Sequence, residues 1–157
     1  MMLEALSSSC WSDRYVLKLD GRPRGEYRGR WFSESVDISL MGRRQLHLEK
    51  SGWWGSRFAL IDDGDGLVLA GANRSGVFTS AWDLRLSNGP GRLVSAGWSN
   101  TSYHVVQSGR VFMEINQVGF CRGGWAARSD GLFEDTDLLF VGLIYHTIVR
   151  RHAAGNG

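Results

Sequence analysis

The chain has 157 residues, 43% hydrophobic and 22% charged, with 21 glycines and 2 prolines; this is the composition of one globular domain, and it excludes a disordered or collagen-like chain. A formal net charge of +2 gives no reason to expect nucleic acid as a partner. Cys10 and Cys121 make neither a disulfide framework nor a CxxC or Cys/His spacing, so a reducing compartment and no metal cofactor are expected.

Residues 1–11 lack a basic n-region and a continuous apolar stretch, which argues against a secretory leader and for a cytoplasmic protein. From residue 14 to about 128 the chain reads as strand after strand. Tyr15, Leu17 and Leu19 alternate with Val16, Lys18 and Asp20, and Gly21 ends the run. Val36, Ile38 and Leu40 follow, then Gly42 turns the chain into Leu46 and Leu48. Phe58 and Leu60 lead through Asp62-Asp63-Gly64-Asp65-Gly66 into Leu67, Val68 and Leu69. Trp82, Leu84 and Leu86 turn at Asn88-Gly89 toward Leu93 and Val94, and Tyr103 and Val105 turn at Ser108-Gly109 toward Val111, Met113 and Ile115. The hairpins start near Tyr15, Val36, Phe58, Trp82 and Tyr103, a period of about 22 residues that marks repeated supersecondary units. Ten or so strands in one domain must close or pair to hide their edges.

Near residue 134 the pattern changes. Glu134-Asp135-Thr136-Asp137 is an acidic helix start with Asp135 or Thr136 as the expected N-cap, and Arg150-Arg151-His152 is a basic helix end. The residues between, 138–149, are apolar on every side, so protein or lipid must wrap them. About 12 apolar residues are short of the roughly 20 that a membrane span needs. A barrel of about ten strands is wide enough to need a filler. The expected fold is therefore a closed antiparallel β-barrel of about 10–12 strands around a buried apolar C-terminal helix. Its strands cover about 14–129 and its helix about 136–151, in a single domain over 1–152, with a frayed tail at 153–157.

The order of elements resembles the tubby C-terminal-like superfamily, which includes plant LURP-one-related proteins and phospholipid scramblases. The residues that carry the likeness are Tyr103-His104-Val105-Val106, Ser108-Gly109-Arg110-Val111, Glu114-Ile115, the segments around Phe120 and Trp125, and Asp135-Thr136-Asp137-Leu138-Leu139. The resemblance implies a twelve-stranded barrel around a central helix. Ten or eleven strands are counted directly, which puts the remainder in the first 12 residues or between 119 and 128. Family functions differ: phosphoinositide binding and membrane tethering in tubby proteins, lipid scrambling claimed for scramblases. The acidic-aromatic calcium segment of scramblases is missing, and the tubby basic pocket has no residue-by-residue match.

Arg22, Arg24, Glu26, Arg28 and Arg30 lie two apart, so an extended chain turns them to one face. A polar outer face, with Glu26 pairing its neighbours, accounts for such a stripe; an anion-binding stripe, joined by Arg43 and Arg44 after Gly42, is the functional reading. Trp53 and Trp54, beside Arg57, are candidate membrane or partner contacts. His47 with Glu49 lacks a visible third metal ligand, and Asp62-Asp63-Gly64-Asp65-Gly66 lacks the distal Glu of an EF-hand. His146 is expected to be a core histidine with an internal partner. No nucleophile elbow, P-loop or dinucleotide fingerprint is present, and no catalytic residue is identified. The sequence thus points to a non-catalytic binding or scaffold module, peripheral to a membrane and docking to anionic phospholipid or a protein partner. A lipid-handling or scramblase-like barrel and a tail-anchored protein are the alternatives.

Overall fold

The computed structural model describes the chain apart from residues 10–11, 30–34, 53–54, 75, 77–80, 98–100, 120–123 and 156–157. Twelve strands run in chain order: β1 (Met2–Ser7), β2 (Arg14–Leu19), β3 (Arg22–Arg28), β4 (Ser35–Leu40), β5 (Arg44–Ser51), β6 (Arg57–Asp62), β7 (Val68–Arg74), β8 (Trp82–Leu86), β9 (Gly89–Ser95), β10 (Ser102–Gln107), β11 (Arg110–Val118) and β12 (Gly124–Ser129). One helix, α1 (Asp135–Gly155), follows. Each strand pairs antiparallel with its sequence neighbours, and β1 pairs with β12 to close the barrel. β1 and β12 fall in the two regions where the resemblance put the missing strands. Closure leaves no strand edge unpaired.

The alternation that marked the strands also sorts their side chains. Leu17, Tyr27, Ile38, Leu48, Leu60 and Ile115 point inward and are buried. Their outward neighbours include Lys18, Glu26, Asp37, Glu49, Asp83 and Glu114. This is the inverse of a membrane-spanning barrel, whose outer face is apolar. Among the described residues, no helix is long and apolar enough to cross a membrane.

The helix fills the barrel. Every residue from 136 to 148 is buried, whichever way it points. A twelve-stranded barrel is wider than the eight-stranded kind that wall side chains alone can fill. The helix lies closest to β12, where the Trp125 ring rests on Gly142, and a Cβ at Gly142 would overlap that ring. The polar side chains of the helix find internal partners. Tyr145 Oη donates to the Thr101 carbonyl at 2.8 Å, and Thr147 Oγ1 donates back to the Leu143 carbonyl at 2.9 Å.

Two boundaries differ from the sequence reading. The N-cap is Glu134, one residue before the expected position. Asp137 Oδ2 accepts the Glu134 amide at 3.0 Å, and the same carboxylate takes the Ser87 amide at 2.9 Å and the Ser87 hydroxyl. Asp137 thus caps its own helix and ties it to the β8–β9 turn. At the far end the helix continues through Gly155, past the expected end near residue 151.

Candidate functional site

Up-and-down connectivity gives the barrel two unlike ends. The connections 20–21, 41–43, 63–67, 87–88 and 108–109 are tight turns, and the helix starts at this turn end. The connections 8–13, 29–34, 52–56, 75–81, 96–101 and 119–123, none shorter than the longest of these turns, leave from the opposite, loop end. The helix finishes there: Arg150 donates to the Tyr15 hydroxyl at 3.1 Å, and Arg151 to the Gly55 carbonyl at 3.1 Å.

The expected arginine stripe is divided between these ends. Arg22, Arg24, Arg43 and Arg44 stand at the turn end, and Arg28 at the loop end of the same strand. Arg30, Trp53 and Trp54 lie outside the described residues, as do Cys10 and Cys121. The stripe is also broken in register. Leu17 pairs with Gly25 and Lys18 with Pro23, which leaves Arg24 as the extra residue of a bulge. Arg24 Nε reaches Asp135 Oδ2 at 2.6 Å and so holds the helix start. Arg44 Nε pairs with Asp62 Oδ2 at 3.0 Å, and Arg14 pairs with Glu26. Only Arg22, Arg28 and Arg43 of the predicted, described set are exposed without an ion pair.

The acidic turn is likewise spent on structure. Asp62 Oδ1 accepts the Gly64 amide at 2.8 Å, Asp65 Oδ1 accepts the Leu67 amide at 2.9 Å, and Asp63 holds His47. The Gly64 amide and the Arg44 guanidinium keep the Asp62 carboxyl below its ordinary range. No group of three or more candidate metal ligands occurs among the described residues.

A different set of cations gathers at the loop end. Arg28, Lys50, Arg57 and Arg74 lie at the loop ends of β3, β5, β6 and β7, within an arc of five neighbouring strands. The helix brings Arg150 and Arg151 to the same mouth. Arg151 lies over the Phe58 ring, 5.4 Å from its centroid. Burial, then the nearby Arg151, pushes the Lys50 ammonium below its ordinary value; burial, then Arg74, does the same to Arg151. Like charges are thus close enough to oppose one another. The ion pairs among the described residues involve Arg14, Arg24, Arg44, His47, Arg92 and His104, and none reaches Lys50, Arg57 or Arg151. Among the described residues, the carboxylates toward this end include Asp13 and Asp83, with Glu26 and Glu49 a step farther in; Glu26 pairs with Arg14, Glu49 lies near His47, and Asp83 faces Arg92.

Beneath this mouth sits a buried polar chain. Trp125 Nε1 donates to Tyr27 Oη at 2.9 Å, and Tyr27 Oη lies 2.9 Å from His146 Nδ1. Tyr15 stacks on Tyr27 with ring centroids 4.9 Å apart. Burial, then the Arg150 and Lys50 charges, pushes His146 down to about 3. His146 is therefore neutral, and its Nδ1 accepts the Tyr27 proton while Tyr27 Oη accepts from the indole. It is a core histidine with an internal partner.

Comparisons of this chain with models of known families, with curated proteins and with solved structures find no match.

Sequence reading passed over Lys50 and Arg74 and assigned Arg150 and Arg151 to the helix dipole alone. The signal that finds them is the parity of the connections. In an up-and-down barrel, strand ends that precede an odd-to-even connection share one end of the molecule.

Proposed function

We propose that the protein is a non-catalytic binding module that docks, through the loop end of its barrel, on an anionic phospholipid surface. The observation that carries this reading is the arc Arg28, Lys50 and Arg57 with Arg151 at its centre, which the described carboxylates leave without an ion pair. Each basic residue near an anionic bilayer is worth about 1 kcal/mol. In sequence, the six connections of this end carry Trp11, Trp31, Trp53, Trp54 and Trp98, five of the seven tryptophans. Tryptophan suits the headgroup layer, where an apolar ring and a polar N–H are both satisfied. Trp53 and Trp54 stand as the proposed membrane contacts. Membership of the tubby C-terminal-like superfamily is part of the same proposal, supported by the twelve-stranded barrel and its central helix.

Co-sedimentation with vesicles tests the reading. Phosphatidylcholine vesicles are compared with vesicles that also contain phosphatidylserine. The chain is expected to pellet only with the second, and less so as salt rises. Arg28→Glu with Lys50→Glu removes two favourable charges and adds two unfavourable ones, which costs at least about 2 kcal/mol, roughly a thirtyfold loss or more. Arg22→Glu with Arg43→Glu, at the turn end, leaves binding intact. Equal loss in both double variants, or no pelleting with any vesicle, overturns the proposal; the second outcome points to a protein partner.

A further inference from the structure

The interior of the barrel is filled, but its outer wall is not smooth. A groove of about 830 Å³ runs over β6, β7, β8 and the start of β9. That volume is in the range of small-molecule sites. Its floor is one strand wide. Ala59, Gly71 and Arg85 form one cross-strand row, and Arg57, Asn73 and Asp83 form the next row toward the loop end. Toward the turn end the groove is apolar, with Leu69 half-buried and Val68 exposed; Leu67, just before it, is also exposed.

Gly71 is the residue without a structural reason. A glycine inside a strand weakens it and packs nothing. Gly25 and Gly124 need to be glycine, because a Cβ would overlap the Ser39 carbonyl or lie 2.6 Å from the Val118 carbonyl. A Cβ at Gly71 would meet only the Phe58 carbonyl oxygen, at 3.8 Å, and its backbone has no positive φ. Neither conformation nor packing asks for a bare backbone here. What the missing side chain supplies is the depth of the groove.

We propose that this groove binds a single-chain anionic amphiphile, a long-chain carboxylate, with its tail over Gly71 and Val68 and its headgroup beside Asn73 between Arg57 and Arg85. Arg57 and Arg85 are exposed, and among the described residues neither has an ion pair, whereas Asp83 faces Arg92 at 3.4 Å. From Val68 to Asn73 an extended chain has a track of roughly 16 Å at 3.3 Å per residue. A peptide strand would gain little here, because β7 already pairs with β6 and β8 and offers no edge for strand addition. The site lies on the wall of the barrel and does not depend on the membrane reading of its loop end.

The test is a fluorescence titration of the full chain with cis-parinarate below its critical micelle concentration, with the methyl ester as the uncharged comparison and no vesicles present. Saturable binding is expected, tighter for the acid than for the ester. Gly71→Val is expected to weaken it at least about tenfold while thermal stability is kept or raised. Gly71→Ala is the smaller change should the valine disturb the sheet. Arg57→Glu with Arg85→Glu is expected to remove the preference for the acid. No saturable binding, or a folded Gly71 variant that binds as the wild type does, overturns the proposal. Because vesicles are absent and the loop-end arc is otherwise untouched, a failure here is distinct from a failure of membrane docking.

Discussion

His47 on β5 has Asp63 at its Nδ1 and Glu49 3.5 Å from its Nε2. The hydrogen bond to Asp63, set against a smaller loss from burial, raises its pKa above 6.5. A raised folded pKa means that the imidazolium stabilises the fold fully below the unfolded value, near 6.5, and that this contribution is lost as pH rises through the folded value. The expected outcome of an NMR titration is a His47 midpoint above 6.5 that falls toward it in Asp63→Asn. A midpoint unmoved by that substitution would show that Asp63 does not hold the ring. His146 is the opposite case, neutral at every ordinary pH because burial and neighbouring cations forbid its charge. The sequence marked His146 as a core histidine but could not name Tyr27 as its partner. Alternation says that Tyr27 points inward, yet not which of twelve inner walls the helix presents its histidine to.

Each strand was legible where apolar and polar residues alternate, as in β2, β4 and β8. β1 and β12 were not, because Met2–Ser7 and Gly124–Ser129 carry small residues at inward positions: Ala5 and Ala127 are buried but contribute no hydrophobic pattern. For β12 the reason lies in the helix, which approaches that strand most closely and leaves room there for little beyond Trp125. Gly142 completes that approach. Gly142→Ala raises helix propensity by about 1 kcal/mol, but it drives a methyl group into the Trp125 ring, and overpacking of this kind costs about 1–3 kcal/mol. The net expectation is a lower midpoint in urea unfolding, and no such further loss when the same change is made in a chain that already carries Trp125→Leu. An alanine variant as stable as the wild type would mean that the helix can shift away from β12. The helix cap was misread by one residue for a similar reason. Asp135 and Thr136 have the right chemistry, but Asp137 is drawn back to Glu134 and across to Ser87, a tertiary contact that no local rule contains.

For the molecule, closure depends on a pair far apart in sequence, since Met2 stands opposite Arg128 and Ala5 opposite Trp125. Removal of residues 1–7 would expose the free edges of β2 and β12 and delete Leu3 and Ala5 from the core. That variant is expected to lose its single cooperative melt and to scatter light on standing, whereas retention of one sharp transition would mean that β2 and β12 can close the gap. The architecture followed from the hairpin period and from a helix too greasy for any surface. The candidate sites did not: the basic mouth depends on which strand ends share an end of the barrel, and the wall groove depends on a side chain that is missing. The helix inside the barrel also sets an order of events during synthesis. It follows the strands in the chain, so all twelve leave the ribosome before the filler for their inner faces exists. A nascent chain that closed early would trap water where the helix belongs. Wall and filler can therefore be joined only after the last strand has emerged and the helix has followed it.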